Sequence, residues 1–329
     1  GVRKKAAGEL KRFQQTAAAI AKTDVLCSFA EVSLSNRYCR PLVNNSGAVL
    51  IKAGRHPVVE QVISTPFVSN DTLLNMKEER CAIITGPNMA GKSTYMRQVA
   101  LIVLMAQTGC FVPAQSAEIG VTDAIFTRVG ASDDLASGQS TFMVEMSEVA
   151  DILKNATSKS LLILDEIGRG TSTFDGMSIA RAVLEYVADK KKLGAKTLFA
   201  THYHELTEME NELSGVRNYN IAVKKRGDDI IFLRRIVRGG ADDSYGIEVA
   251  KLSGIPDEVI KRAKQILKKT EEEGLVTYRT APDPDMQLPI EMQEAQDILR
   301  ELQTLDVNTL TPIEAMQLLF DFASKAKSV

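Results

Sequence analysis

Apolar and polar positions along this chain form two patterns: short, wholly apolar runs and longer segments with helical spacing. Three runs are apolar at nearly every position, as in strands buried on both faces: residues 81–85, 161–164 and 197–201. The first two precede segments with helical spacing, at residues 95–109 and 178–190. Strands that alternate with helices in this way predict an α/β fold, a parallel sheet flanked by helices.

The N-terminal segment, residues 1–36, has the spacing of a helix. It is rich in alanine and carries apolar residues at helical intervals: Leu10, Phe13, Ala17, Ile20 and Leu26. Its start is basic, and a basic helix can contact DNA, although a solvated helix face explains the same charges. Because the helix begins without a cap, we expect the chain to be a fragment whose N-terminal domains are missing.

Two more elements are predicted in the middle of the chain. A strand pattern covers residues 124–129, and a polar, glycine-bearing loop at residues 130–143 then continues as a helix. Ser140 or Thr141 is the natural N-cap of this helix. The helix start is either an ordinary capped terminus or a second anion site, because helix N-termini attract negative charge.

The last third of the chain predicts a hairpin, a pair of helices and a tail. Alternating apolar residues predict a β-hairpin over residues 218–238. Helices at residues 244–252 and 256–269 form a helix-turn-helix pattern, which suits either DNA or a partner protein. A linker with three prolines covers residues 270–290, and a capping box at residues 311–314 begins a last helix. A small helical tail after a linker is typical of an oligomerisation element.

Composition narrows the class of protein. The chain has 329 residues, of which 44% are hydrophobic and 25% charged, as in an ordinary soluble protein. Its formal net charge of −2 argues against nucleic-acid binding over the whole surface. The four cysteines form no C-x-x-C pair, which favours reduced thiols in a cytosolic protein. Without a signal peptide or an apolar run long enough to span a membrane, we expect a cytoplasmic chain with no membrane partner.

One motif predicts phosphate binding. Residues 86–93 fit G-x-x-x-x-G-K-[ST], and the apolar run before them and the helix after them are the context that this motif requires. Gly86 and Gly91 allow the backbone N–H groups to face a phosphate. Lys92 can reach the β- and γ-phosphates, and Ser93 can supply a hydroxyl to Mg²⁺. The candidate nucleotide-binding residues of the loop are Gly86, Pro87, Asn88, Met89, Ala90, Gly91, Lys92, Ser93 and Thr94.

Acidic residues end the second apolar run. Asp165 and Glu166 follow four aliphatic residues, at the strand edge where ligands bind in parallel sheets. We expect Asp165 to hold Mg²⁺ through water and Glu166 to orient or activate an attacking water. The third apolar run delivers His202 to the same edge, where it is a candidate γ-phosphate contact. Phe67, shortly before the loop, is either a base-stacking aromatic or a core residue.

Four motifs together carry a resemblance to a known family. They are GPNMAGKST at residues 86–94, SGQSTFMVEM at 137–146, LDEIGRGTST at 164–173 and THYHEL at 201–206. In this order they resemble the ATPase domain of the MutS family of DNA mismatch repair proteins, in its bacterial form. The resemblance runs from about residue 14 to about residue 269 and resumes in the tail.

The resemblance implies an ABC-type ATPase that uses ATP, ADP and Mg²⁺ and works as a dimer with nucleotide at the subunit interface. The residues that match the family's phosphate and metal positions are Lys92, Ser93, Asn88 and Asp165. The resemblance also implies that the catalytic residues are Glu166, Lys92 and His202, and that His202 stands in the position of the family's switch histidine.

Three further positions follow from the resemblance. Ser140 matches the residue that completes the neighbouring subunit's site in trans, and Phe67 matches a base-stacking position. Arg234 stands where a close relative has a histidine on the base side, and this departure leaves its role open.

The resemblance also divides the chain into parts. These are the end of the lever helices at residues 1–42, an ABC-type ATPase domain at 43–240, a helix-turn-helix dimerisation unit at 241–269, the linker at 270–290 and an oligomerisation tail at 291–329. The helix pair is then a dimer clasp and not a DNA reader, and the tail resembles a tetramer-forming end. Family members carry mismatch-binding, connector, lever and clamp regions ahead of this one. We therefore expect this chain to contain the ATPase domain, the motor of the protein, without the domain that recognises the mismatch.

The resemblance implies partners as well. DNA would be bound through the missing N-terminal domains, a MutL-type repair protein would be a further partner, and the protein would associate with a bacterial nucleoid. The alternative is a MutS-like paralogue, or a chromosome-structure-type ABC ATPase, acting in recombination. One such paralogue ends in a nuclease-like domain that this chain lacks. A dimerisation module with a dead nucleotide site is opposed by the intact Lys92, Ser93, Asp165 and Glu166.

Overall fold

The structure is a mixed α/β fold with two sheets flanked by helices; the sequence predicts the α/β class and one of the two sheets. The computed structural model describes residues 1–87, 90–130, 140–226, 229–240 and 245–277. The chain divides into two compact units, Gly1–Pro256 and the part from Asp257 on. Asn88 and Met89, two of the candidate nucleotide-binding residues, lie outside the described residues.

The described elements begin with helices and then mix strands and helices. The strands are β1 (Leu42–Asn44), β2 (Val49–Gly54), β3 (Asn70–Leu74), β4 (Cys81–Thr85), β5 (Ser116–Gly120), β6 (Ile125–Arg128), β7 (Leu161–Asp165), β8 (Lys196–Ala200), β9 (Val216–Arg226) and β10 (Asp229–Arg238). The helices of the first unit are α1 (Val2–Gly8), α2 (Leu10–Ser35), α3 (Val59–Val62), α4 (Lys92–Thr108), α5 (Thr141–Asn155), α6 (Thr173–Ala188), α7 (Met209–Glu212) and α8 (Gly246–Leu252). A 3-10 helix covers His204–Glu208, and the described helix of the second unit is α9 (Asp257–Thr277).

The larger sheet has six strands in the order β10-β9-β4-β8-β7-β6. Neighbouring strands are parallel, except that β9 and β10 form the predicted hairpin. The three apolar runs of the sequence are its strands β4, β8 and β7, in which every residue is buried. Burial on both faces explains why these runs show no alternation of apolar and polar residues.

Helix α4 packs between the two sheets and joins them into one core. Val99 and Ile102 of this helix share an apolar cluster with Ile51 of β2 and Ile163 of β7. The opposite face of the larger sheet is covered by α5 and α6. The predicted arrangement, a parallel sheet flanked by helices, is therefore confirmed for the described residues.

The smaller sheet was outside the prediction. Its four strands lie in the order β1-β5-β2-β3, whereas the sequence pattern gives residues 41–80 only a mixed structure. The physical reason is that β1 has three residues and that β1 and β2 both pair with β5, which follows α4 in the chain. Pairing between segments so far apart leaves no local pattern in the sequence.

Three helix boundaries differ from the prediction. The N-terminal helix is interrupted at Glu9, so that α1 and α2 are separate. Helix α6 begins at Thr173 and not at residue 178, because the Ser172 hydroxyl accepts the Asp175 N–H and caps the helix. Helix α9 continues to Thr277, past residue 270, where a linker is predicted. Glutamate, which fills residues 271–273, is a strong helix former and carries the helix onward.

Helices α8 and α9 lie where two helices are predicted, each in a different unit, and their helix-turn-helix arrangement stays a prediction. The rest of the predicted linker and tail, residues 278–329, lies outside the described residues. The expected domain bounds stay predictions. All four cysteines are free thiols, and Cys81 and Cys110 are buried. Among the described helices, none combines the length and the apolar character needed to cross a membrane.

A close backbone contact fixes the start of α6. Gly168, in the loop after β7, lies against Gly176 in the first turn of the helix. A Cβ atom on either glycine would lie well inside van der Waals contact with the other residue's carbonyl oxygen. Gly168 also has a φ of 86°, in the left-handed region that favours glycine. The two glycines therefore allow the loop after β7 to lie directly on α6.

This contact predicts that Gly176→Ala destabilises the protein, although alanine is the better helix former. We expect the free energy of unfolding to fall by about 1–3 kcal/mol, the usual cost of overpacking. Gly246→Ala is the matched control, because Gly246 also lies in a helix and has open space around its Cβ position. Urea denaturation followed by circular dichroism would measure both changes. Equal effects of the two substitutions would contradict the prediction.

Candidate functional site

The ends of three strands lie level at one edge of the larger sheet. Ile84 of β4 pairs with Ala200 of β8, and Ala200 pairs with Asp165 of β7. Because the strands are parallel, the chain leaves all three at the same edge. The turn after β4, Glu166 after β7 and His202 after β8 therefore lie beside one another.

In the described part of the turn between β4 and α4, two glycines have a left-handed backbone. Gly86 has a φ of 119° and Gly91 a φ of 108°, both in the left-handed region. Gly91 is the N-cap of α4, and the Ala90 N–H donates to the Pro87 carbonyl at 3.2 Å. The turn thus ends at the N-terminus of a long buried helix, where a negative charge is favoured.

Lys92 is the first residue of α4 and is 1% exposed. Its Nζ donates to the carbonyl oxygen of Gly86, across the turn. Burial lowers the pKa of Lys92, and the negative charges of Glu166 and Asp165 act in the opposite direction. The ammonium group is therefore hydrogen-bonded to the turn and lies within the influence of both carboxylates, while its contact with a phosphate stays a prediction.

Asp165 is the last residue of β7 and is buried. Its pKa is raised by burial, and a hydrogen bond with the Ser93 side chain acts in the opposite direction. Nothing in the described part of the chain donates a hydrogen bond to its buried Oδ1 atom. A buried carboxylate oxygen without a donor, next to a serine hydroxyl, fits the oxygen ligands that a hard divalent cation prefers.

Glu166 has an unusual backbone. Its φ is 55°, left-handed for a residue other than glycine, and its N–H donates to the Ala200 carbonyl at 2.9 Å. The Arg169 guanidinium donates to its carboxylate at 2.5 Å. A non-glycine residue in this conformation costs of order 1–3 kcal/mol and persists where its surroundings impose it, often at functional sites.

His202 lies beyond the end of β8, near the same carboxylate. Desolvation lowers the pKa of His202, Glu166 acts in the opposite direction, and Arg169 and Lys92 reinforce the lowering. The ring also packs on the neighbouring Tyr203 ring, with 4.1 Å between centroids. The neutral form of the imidazole is therefore favoured more than in a free histidine, and this form can make hydrogen bonds without adding a charge.

A cavity of about 320 Å³ is lined by Ser93, Asp165 and Glu166, whereas Lys92 and His202 are not among its lining residues. Four lining residues without a predicted role are charged: Arg97, Arg128, Glu145 and Arg169. Glu145 and Arg169 lie inside the motifs at residues 137–146 and 164–173, which could have drawn attention to them. Arg97 and Arg128 lie outside every motif, so no sequence signal pointed to them.

A second cavity, of about 210 Å³, reaches Gly91 and Thr94 at the start of α4. Phe67 lines it and is half-buried, so this ring belongs to a cavity wall; base stacking on it stays a prediction. Arg234 lines the same cavity with a left-handed φ of 54°. The Asn70 amide holds this part of β10, since it donates to the Arg234 carbonyl at 3.0 Å and accepts the Ile236 N–H at 2.8 Å.

Ser140 is the N-cap of α5, as predicted. Its hydroxyl accepts the Met143 N–H at 3.2 Å, and the residue is exposed. Ser140 lines neither of these two cavities. Its role in trans stays a prediction.

Several curated proteins are similar to this chain. It is 60% identical over 337 aligned residues to the DNA mismatch repair protein MutS of Acetivibrio thermocellus, which covers 99% of this chain and 38% of that protein. It is 58% identical over 326 residues to the protein of the same name from Caldicellulosiruptor saccharolyticus, covering 97% and 38%. For that of Lachnoclostridium phytofermentans the identity is 64% over 275 residues, covering 83% and 30%. The chain thus spans well under half the length of these relatives.

One family's sequence model matches a range of residues that contains nearly all of the larger sheet. This model is described as MutS domain V, and it matches residues 82–271, more than half of the chain. The matched range contains Lys92, Asp165, Glu166 and His202. The chain therefore belongs to the MutS family and contains its domain V.

Proposed function

We propose that this chain is the ATPase and dimerisation part of a bacterial DNA mismatch repair protein, and that it hydrolyses ATP to ADP and phosphate with Mg²⁺. The observation that supports this most is that Ser93, Asp165 and Glu166 line one cavity, and that the charges of both carboxylates act on the buried Lys92. Charged groups are costly to bury without a task or a partner. A lysine, a hydroxyl and two carboxylates at a helix N-terminus are the groups that phosphoryl transfer requires.

The nucleotide would bind at the start of α4. The left-handed glycines of the turn and the helix N-terminus favour the negative charge of the phosphates, and Lys92 adds a full positive charge. The second cavity begins at the same helix start, so the base would bind there, against Phe67 and Arg234.

Ser93 and Asp165 would hold the metal ion. The buried Oδ1 atom of Asp165 has no donor among the described residues, and burial raises the pKa of this carboxyl group. Both features fit a site that a divalent cation occupies. Bound there, Mg²⁺ would neutralise charge on the phosphate oxygens.

Glu166 would accept a proton from the attacking water, and His202 would contact the phosphoryl group as a neutral hydrogen-bonding ring. The lowered pKa of His202 supports this second role. Arg169 fixes the direction of the Glu166 carboxylate through its 2.5 Å hydrogen bond. The protein groups thus orient the reactants and accept the proton.

The assembly is also proposed from the family. Two copies would pair through the helices α8 and α9, and the tail would allow a tetramer. Ser140 would complete the neighbour's site, which fits its exposure at the N-terminus of α5. In the whole protein, further domains would bind DNA, a MutL-type protein would be a partner, and the location would be the nucleoid of a bacterial cytoplasm.

We predict that Glu166→Gln binds ATP with Mg²⁺ but hydrolyses it far more slowly. The amide cannot accept the proton of the attacking water, and loss of a general base typically costs about 10²–10⁴-fold in rate. Single-turnover hydrolysis and equilibrium binding of a fluorescent ATP analogue would separate the two effects. Glu208→Gln is the control, since Glu208 is exposed in the 3-10 helix beyond β8. Near-wild-type turnover of Glu166→Gln would refute the role of Glu166.

We predict that this chain binds DNA weakly and does not prefer a mispair. The net charge of −2 disfavours binding to a polyanion, while the basic residues on the exposed start of α1 and α2 allow a weak contact. Such binding releases counterions, so it should weaken steeply between about 50 and 200 mM salt. Fluorescence anisotropy with matched and mispaired duplexes would measure it. A clear preference for the mispaired duplex at physiological salt would overturn the prediction.

We predict that the active site is shared across a dimer. Lys92→Ala and Ser140→Ala should each be inactive, and mixing the two should restore part of the activity. If Ser140 acts in trans, one site of the mixed dimer carries both defects while the other has both residues intact. The intact hydroxyl and helix N-terminus would then meet the charge that develops on the transferred phosphoryl group.

The mixing experiment needs single-turnover hydrolysis, because coupling between sites can hide an intact site at steady state. Subunit exchange must be verified with differently labelled copies, since failed exchange imitates a negative result. No restoration in a mixture of proven heterodimers would mean that Ser140 acts in its own subunit or not at all.

A further inference from the structure

One residue in the loop after Glu166, Gly168, is held by three contacts. The Gly168 N–H donates to the Glu145 carboxylate at 2.6 Å, and this hydrogen bond is buried. The Gly168 carbonyl accepts the Tyr203 hydroxyl at 3.0 Å, also in a buried position. The Cα atom lies against Gly176 of α6. Gly168 therefore has little freedom to move, and Glu166 is only two residues away.

The three contacts come from three different parts of the site. Glu145 lies on α5, five residues after its N-cap Ser140. Tyr203 is next to His202, and burial followed by the charge of Glu145 raises the pKa of Tyr203, so its hydroxyl keeps the proton that it donates. Gly176 lies in the helix that follows the loop. The position of the loop after β7 thus depends on the helix that carries Ser140.

Glu145 is itself held by a buried ion pair. Its relative exposure is 4%, and its Oε2 atom lies 3.3 Å from the Arg128 guanidinium at the end of β6. Arg128 is equally buried, and its Nε atom lies 3.0 Å from Glu148, one helical turn further along α5. Each oxygen of Glu145 therefore has its own partner: the Gly168 N–H for one and Arg128 for the other.

We propose that Glu145 is a positioning residue for Glu166: it fixes the loop after β7 to helix α5, and so couples the proton acceptor of one site to the helix start that faces the neighbouring subunit. This proposal rests on the proposed ATPase function. Glu145 lines the cavity beside Glu166, and in this proposal it acts on the reaction through the loop after β7. Its effect passes through Gly168 to the backbone of Glu166, whose left-handed φ of 55° depends on a fixed loop.

The test compares three substitutions of Glu145 by single-turnover hydrolysis. Glu145→Ala removes the acceptor for Gly168 and should slow the chemical step roughly 10–100-fold, the range expected when a catalytic group is misplaced by about 1 Å. Glu145→Asp keeps the charge for Arg128 but draws the acceptor back from Gly168, so it should also be slow. Glu145→Gln can offer one carbonyl oxygen to Gly168, but its NH₂ group then faces Arg128 in place of the second oxygen, so it should be slowed less than Glu145→Ala. Glu148→Gln, which changes the exposed partner of Arg128, should leave the rate unchanged.

Two further measurements separate positioning from general loss of structure. Nucleotide affinity should stay within a few-fold of wild type in all variants, because the turn and Lys92 are untouched. In a Glu166→Gln background, adding Glu145→Ala should cause little further loss, since Glu145 acts through Glu166. If Glu145→Ala does not fold, Glu145→Asp carries the test, with faster hydrogen exchange of the Gly168 amide as its structural readout.

Several outcomes would overturn the proposal. A wild-type rate for both Glu145→Ala and Glu145→Asp would show that the contact has no bearing on the chemical step. Equal slowing by Glu145→Gln and Glu145→Ala, or full additivity with Glu166→Gln, would mean that Glu145 does not act through the Gly168 hydrogen bond. A wild-type protein without ATPase activity would refute the proposed function itself, which distinguishes that failure from the others.

Discussion

The parallel register of β4, β8 and β7 is the constraint on which the site depends. Ile84, Ala200 and Asp165 lie in register across the three strands, so the chain leaves the sheet at one level in three places. This brings together residues that are far apart in sequence: Lys92, Glu166 and His202. A register shift of one residue in β7 would turn Asp165 to the other face of the sheet, because side chains alternate along a strand. The strands are buried along their whole length, and the chemistry at their ends depends on their register.

At this edge of the sheet, burial disfavours the charged forms of both Lys92 and Asp165. Burial raises the pKa of Asp165 and lowers the pKa of Lys92, so for both groups the loss of water outweighs the attraction between them. A lysine and a carboxylate that the protein alone stabilises poorly are suited to ligands of opposite charge. A phosphate would stabilise the charged lysine, and a divalent cation would stabilise the charged aspartate.

The sequence predicts the parts of this structure whose signals are local. Strands β4, β7 and β8, helix α4, the Ser140 cap and the hairpin all follow from short-range patterns, and the motifs place the candidate site at the correct sheet edge. The smaller sheet escapes prediction because β1 and β2 pair with β5 across a long stretch of chain. Likewise, the link between Asn70 and the Arg234 carbonyl joins two sheets and has no sequence signal. Arg128 is missed because its two carboxylate partners lie on α5, past the loop that follows β6.

The glycine pair at Gly168 and Gly176 shows why local propensity is a poor guide at such a site. Inside a helix, glycine is less favourable than alanine by about 1 kcal/mol, so position 176 looks like a weak point when α6 is considered alone. In the fold it is the position that allows the Gly168 carbonyl to lie on the helix and to accept the Tyr203 hydroxyl. The local cost in α6 is offset by a loop held tightly enough to keep Glu166 left-handed, two residues before the contact. At position 176, alanine would stabilise the isolated helix, whereas glycine allows the geometry of the site. The sequence has glycine there.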